Sequence, residues 1–128
     1  MKLLLDTHAL IWFIAGDARL SSLARRLIEP VANEVWASVA SLGEIAIKVS
    51  IGKLSLTQPF EVLVPAQLEA NTIGILPIQS SHLVALSKLP LHHRDSFDRL
   101  IVAQAITEKF DLVSADLLLD AYPIVRQW

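Results

Sequence analysis

No cysteine occurs among the 128 residues of this chain. That excludes a disulfide scaffold, a cysteine zinc site and a thiol nucleophile, and it is compatible with a reducing compartment. No apolar run approaches the roughly eighteen residues that would suggest a membrane span. The start, MKLLLDTHALIWFIAG, has the outline of a signal peptide. Asp6 and His8 interrupt its apolar part, however, and Lys2 is its sole positive charge, so we expect the chain to stay in the cytoplasm, with no membrane partner. Positive charge is also scarce. Lys and Arg number 11 against 13 Asp and Glu, for a net charge of −2. A nucleic acid would therefore have to be held by a local patch and bound metal rather than by bulk charge.

What the chain has is apolar mass. Hydrophobic residues make up 53% of it and the mean hydropathy is +0.50, which is rich for a free-standing domain of this length. Part of that surface is expected to lie against a partner or a second copy. The length suits one domain with a real core. With no repeat, low-complexity segment or linker, residues 1–128 read as a single domain.

Along the chain, strands and helices alternate. Strands are predicted at Lys2 to Leu5, Glu34 to Val39, Thr72 to Ile78, Leu112 to Ser114 and Ile124 to Val125. Helices are predicted at Thr7 to Ala15, Asp17 to Ile28, Ser41 to Ser50, Phe60 to Asn71 (with Pro65 as a kink or boundary), Ser80 to Lys88 and Ser96 to Phe110, with a turn of helix at Asp116 to Asp120. Gly16 and Gly52 close two of the helices, and Ser80 or Ser81 is expected to cap another. The alternation implies an α/β fold in which a parallel sheet of about five strands is covered by helices on both faces, a three-layer α/β/α arrangement.

Four acids stand at the strand-to-helix junctions or one turn beyond: Asp6, Glu44, Asp98 and Asp116. A parallel sheet gathers the carboxyl ends of its strands, so these side chains can converge on one crevice. Converged carboxylates repel by about 4 kcal/mol per pair at 4 Å and an effective dielectric near 20. A divalent cation removes that cost, and hard oxygen ligands suit Mg²⁺ or Mn²⁺. Attack of water on a phosphodiester is the chemistry such a site serves best.

Each acid also has a plain structural explanation. Asp6, Asp95 and Asp116 can cap helices, and Asp98 suits a first turn. Ser41-Leu42-Gly43-Glu44 matches a capping box, and Glu44 with Lys48 is an i,i+4 ion pair. The set is harder to dismiss than its members, because caps alone call for no cluster of acids. His92 and His93 flank Asp95 and Asp98, but a hard carboxylate site has little need of imidazole, and neither is expected to be a ligand. His82 is read as structural. His8 is either a packed first-turn residue or a substrate contact. Trp12, Phe13 and Trp36 read as core or interface aromatics.

The segments LLLDTHALIW, SLGEIAIKVSIGKL, LPLHHRDSFDRLIVAQA and LVSADLLLDAY span nearly the whole chain. In that order the sequence resembles a PIN-domain ribonuclease of the VapC toxin type. The resemblance implies a sandwiched parallel sheet and an acidic Mg²⁺ or Mn²⁺ site. In that site Asp6, Asp98 and Glu44 hold the first metal and Asp116 completes the cluster directly or through water. Asp95 would be an accessory acid or a cap. The hydroxyl of Ser114 would orient Asp116 or the attacking water, with Thr7 acting similarly beside Asp6. Arg94, Arg99 and Lys48 are the candidate contacts to the RNA backbone, with a salt bridge from Arg99 to a carboxylate as the alternative. The resemblance further implies an RNA substrate, a cognate antitoxin and a homodimer. Gly43 departs from the pattern, standing where close relatives often carry Trp, and a helical glycine costs about 1 kcal/mol relative to alanine.

Rival readings fare worse. A haloacid-dehalogenase-like phosphatase needs a second Asp two residues after the first, where this chain has His8. A receiver domain needs an acidic pair near the first strand and a lysine late in the chain after a strand, and this chain has neither. An inactive PIN-like module that only binds RNA or protein is disfavoured by the four intact acids.

Overall fold

The computed structural model describes residues 1–128. Five strands form one sheet: β1 (Lys2–Leu5), β2 (Glu34–Ser38), β3 (Ile73–Leu76), β4 (Asp111–Val113) and β5 (Arg126–Gln127), in the order β3-β2-β1-β4-β5. Every pairing is parallel. Six α-helices cover it: α1 (Thr7–Ala15), α2 (Ser22–Ile28), α3 (Val39–Ser50), α4 (Phe60–Ala70), α5 (Ser80–Ser87) and α6 (Ser96–Glu108), with a 3₁₀ turn at Leu117–Ala121. The expected three-layer α/β/α fold is the one observed.

The central strand shows why both faces need cover. Leu3, Leu4 and Leu5 are all fully buried. Leu3 and Leu5 point into a core with Ala9 and Leu10 of α1, Ile28 of α2, Ile45 of α3 and Val64 and Leu68 of α4. Leu4 points the other way, onto Ile101, Val102 and Ala105 of α6, with Leu112 and Leu119. Alternate side chains of a strand face opposite sides, and each buried Leu contributes about 1.5–3 kcal/mol.

Several local expectations need correction. The second helix begins at Ser22, not Asp17. Asp17 accepts from the Arg19 backbone N–H and pairs with its guanidinium, while Ser21 caps the helix by accepting from Ala24. A short acid that bonds its own downstream backbone competes with the helix. The capping box at Ser41 does not form. Ser38 caps α3 instead, accepting from the Ala40 N–H, and Ser41 lies inside the helix. Helix α5 is capped by Gln79, not by Ser80 or Ser81, with the His82 ring accepting from the Gln79 N–H. Pro65 neither ends nor bounds α4. Pro65 and Glu61, whose carbonyl it leaves unbonded, are both exposed, so water can satisfy that carbonyl.

The third strand is shorter than expected, since Thr72 has a positive φ of 54°. The last strand is Arg126–Gln127 rather than Ile124–Val125. Being an edge strand, it tolerates polar residues, and Arg126 earns its place by pairing with Asp120 and donating to the Ser114 carbonyl.

Candidate metal centre

The chain winds from β1 through β2 to β3 on one side of the sheet, then crosses to β4 on the other side of β1. The order reverses between β1 and β4, the point at which a sheet of this kind forms its ligand crevice, at the carboxyl ends of the strands. Asp6 and Ser114 follow these two strands directly, and the Asp6 N–H donates to the Val113 carbonyl at 3.1 Å. Helix α3, entered from β2, supplies Glu44, and the first turn of α6 supplies Asp98.

The caps are real. Asp6 Oδ1 accepts from the Ala9 N–H at 2.8 Å, Asp95 Oδ1 from Asp98 at 3.0 Å, and Asp116 Oδ1 from Leu118 at 3.0 Å. Capping occupies one oxygen of each carboxylate, and the acids also converge. Glu44, Asp95 and Asp98 offer ligand atoms within 4.8 Å of one another, as do His93, Asp98 and Asp116. Asp98 belongs to both groups. Asp6 belongs to neither. It is buried and acts on Asp98 electrostatically, since its charge disfavours that of Asp98.

Asp98 is pushed up to about 7, first by burial and then by the charges of Asp95, Asp6 and Glu44, with His93 opposing. Asp6 is also raised. Burial dominates, the Ser114 hydroxyl, the Ala9 N–H and His8 hold it down, and Asp116 adds to the rise. Lys48 Nζ lies 2.7 Å from Glu44 Oε2, so the i,i+4 pair forms. The other oxygen, Glu44 Oε1, is buried with no hydrogen-bond partner. A buried acceptor without a donor is costly, and a divalent cation or its water would satisfy it. A raised carboxyl, an orphaned carboxylate oxygen and an all-oxygen set around them fit Mg²⁺ or Mn²⁺.

The hydroxyls do different work. Ser114, fully buried, accepts from the Asp116 N–H at 3.0 Å and so fixes that residue's backbone. Thr7 donates to Ser41 at 3.1 Å and ties α1 to α3, away from Asp6. Arg94 is exposed. Arg99 is half-buried and donates to the Leu89 carbonyl at 2.9 Å, and it forms no salt bridge with a carboxylate. An added Cβ at Gly43 would meet nothing within 4 Å, so there is open space beside this residue.

Imidazole, set aside in the sequence, stands among the acids. His93 Nε2 lies 2.7 Å from Asp116 Oδ2 and 3.5 Å from Asp98 Oδ2. Tyr122 was not singled out either. Its hydroxyl donates to the Pro90 carbonyl at 2.8 Å and accepts from the N–H groups of His92 and His93 at 3.0 Å. The signal was available in HHRDSFD, where a histidine stands two residues before a capping acid.

A crevice of acids at the switch point of a short parallel α/β sheet defines a class, and comparison with known proteins gives the same class. The chain belongs to the PIN-domain family, whose model matches residues 3–124. Within it the chain is related to the VapC type. It is 35% identical over 115 residues to Ribonuclease VapC22 of Mycobacterium tuberculosis, covering 88% of this chain and 85% of that protein. The fold matches VapBC2 from Rickettsia felis bound to a DNA fragment from their promoter (TM-score 0.75, 17% identity, 98% of this chain and 97% of that one). It also matches VapBC-1 from nontypeable Haemophilus influenzae (TM-score 0.69, 18% identity, 99% and 97%).

Proposed function

We propose that this chain is a metal-dependent endoribonuclease, the toxin of a toxin–antitoxin pair, with residues 1–128 forming one PIN domain. The observation that carries the reading is the meeting of two ligand groups at Asp98, in a member of the PIN family, beside a buried carboxylate oxygen of Glu44 that has no donor.

Glu44 and Asp98 would hold Mg²⁺ or Mn²⁺, with Asp6 behind them, Asp95 beside them and Asp116 reached through water. When bound, the cation would supply acidity to water and charge neutralisation to the phosphate. The residues do the rest. Asp98, raised to about 7 without metal, would give up its proton as the cation binds. Ser114 and His93 hold Asp116 in place. Lys48 limits the repulsion that Glu44 adds. Arg94, exposed beside Asp95, is the free cation that can meet an RNA phosphate. In-line attack would leave a 5′-phosphate and a 3′-hydroxyl.

A protein partner is part of the proposal. An apolar cavity of about 160 Å³ is lined by Ile11, Ile14, Ile45, Leu54, Leu63 and Val64. Leu83, Val84, Leu117 and Leu118 are exposed elsewhere on the surface. These surfaces suit a cognate antitoxin and a second copy of the chain. No helix is long and apolar enough to cross a membrane, and we place the protein in the cytoplasm.

The test is incubation of purified protein with end-labelled structured and unstructured RNAs in Mg²⁺, Mn²⁺ or EDTA, beside an Asp98→Asn variant. Metal-dependent cleavage that the variant lacks supports the nuclease and its site together. No cleavage of any RNA, with no Mn²⁺ binding by calorimetry, would overturn the reading in favour of a binding module.

A further inference from the structure

We infer that His93 is a positioning residue that holds Asp116 through its Nε2–H, and that it is not itself a metal ligand. The inference rests on the nuclease reading for its consequence, although the hydrogen-bond geometry stands apart from it. The ring's protonation pattern follows from its neighbours. The Asp95 backbone N–H donates to His93 Nδ1 at 3.1 Å. That nitrogen must offer a lone pair, so in the neutral ring the proton sits on Nε2. Nε2 then faces Asp116 Oδ2 at 2.7 Å, a short donor-to-carboxylate bond, with Asp98 Oδ2 further away at 3.5 Å. A ring nitrogen that carries a proton has no lone pair for a cation. Although His93 stands within ligand reach of Asp98 and Asp116, it enters the group as a donor.

The backbone beneath the ring is fixed as firmly. The Tyr122 hydroxyl accepts from the N–H groups of His92 and His93 and donates to the Pro90 carbonyl. One donor and two acceptor sites are all a phenol has, so its whole bonding capacity goes into this loop. The His92 ring packs edge-on against Tyr122, with centroids 5.2 Å apart.

Asp116 is thereby held at three points. Oδ2 accepts from the His93 Nε2–H, Oδ1 accepts from the Leu118 N–H, and its own N–H donates to Ser114. Like charges would otherwise push this carboxylate out of the crevice, since Asp6 lies close enough for the two to disfavour each other. A carboxylate with both oxygens already accepting keeps one lone pair on each, which suits a contact with the cation's water better than a bidentate grip. Partners that orient a metal site's acids in this way change affinity or activity by about 10–100-fold when removed.

The experiment uses the full chain with ¹⁵N-labelled histidine, read by long-range ¹H–¹⁵N correlation without metal and with saturating Mg²⁺. The expected result is a protonated Nε2 and a bare Nδ1 for His93 in both states, with the Nε2 proton shifting upfield in Asp116→Ala. A protonated Nδ1, or loss of the Nε2 proton on adding Mg²⁺, would overturn the inference.

Kinetics supply a second arm, with folding of each variant checked by thermal melting. His93→Ala is expected to lower kcat for RNA about 10–100-fold with KM little changed. His93→Gln, which restores an N–H donor at the same reach, should recover most of that loss, and both variants should bind Mn²⁺ much as the wild type does. Equal loss of Mn²⁺ affinity in the Ala and Gln variants would make the imidazole a ligand and overturn the inference. A wild type that cleaves no RNA would defeat the nuclease reading alone, because the ring spectrum and the calorimetry would still decide what His93 does.

Discussion

On the α3 side of Asp98 stand Glu44 and Asp95, two further carboxylates with Lys48 as the near cation and one buried oxygen without a donor. On the β4 side stands Asp116, whose carboxylate oxygens both accept hydrogen bonds, from Leu118 and His93. The two sides share an acid and a crevice, yet only the α3 side leaves a buried carboxylate oxygen without a donor. On the proposed reading, that difference marks which side a cation would occupy and which is scaffold. Both Asp116 carboxylate oxygens already have donors, so the β4 side has the smaller need of a cation. Burial and the charges of Asp95, Asp6 and Glu44 lift Asp98 to about 7, and Asp95 and Glu44 make the α3 side the place where a divalent ion would relieve the most repulsion.

Removing the shared acid should abolish the distinction. Asp98→Asn is expected to slow single-turnover RNA cleavage by at least about 100-fold, roughly 2.7 kcal/mol of transition-state stabilisation. Lys48→Met probes the α3 side without touching an acid. It leaves Glu44 buried and unpaired, so metal-free stability should fall by about 1–3 kcal/mol, and saturating Mg²⁺ should recover the loss. Denaturant melts in EDTA and in Mg²⁺ check this. Glu44→Gln should weaken Mn²⁺ binding by about tenfold, close to 1.4 kcal/mol, and Asp116→Asn by less. Equal losses by calorimetry would break the comparison.

The pH dependence follows from Asp98. Its carboxyl stands at about 7 in the folded chain against an ordinary value of 3.8. Between those values the folded state binds more protons than the unfolded one, so stability falls as pH rises through that window. Metal-free Asp98→Asn should therefore melt higher than wild type at pH 8, by about 1 kcal/mol once solvent screening is allowed for. The gap should close as pH falls from 7 towards 4. The smallest effect is expected at Arg94, which is exposed. Arg94→Ala should weaken RNA binding several-fold and reduce the slope of log affinity on log salt by about 1.

Much of this was legible in the sequence. The run of leucines in β1, the capping acids and the alternation of elements gave the sheet, its direction and the junctions where Asp6 and Asp116 stand. These features are local, and a strand or cap declares itself in the residues that form it. Glu44 was legible for a weaker reason. Its pairing with Lys48 was foreseen, whereas the capping box at Ser41 proved to be a helix entered three residues earlier, at Ser38. Beyond the histidine that HHRDSFD sets beside a capping acid, the roles of His93 and Tyr122 were not legible, because they arise from contacts 23 to 32 residues away in the chain. The polar edge strand β5 was missed for a similar reason. Arg126 is a strand residue through its partners Asp120 and Ser114 and not through any apolar pattern.

The central claim is that a divalent cation binds where Glu44 and Asp98 meet. Calorimetric titration of Mn²⁺ into metal-free wild type and Asp98→Asn, at pH 6 and pH 8 in buffers of different ionisation enthalpy, tests it most directly. The account predicts binding by wild type that tightens from pH 6 to pH 8, with proton release greatest at the lower pH, and little or no binding by Asp98→Asn. Equal binding by both proteins, or binding without proton release at pH 6, would contradict it.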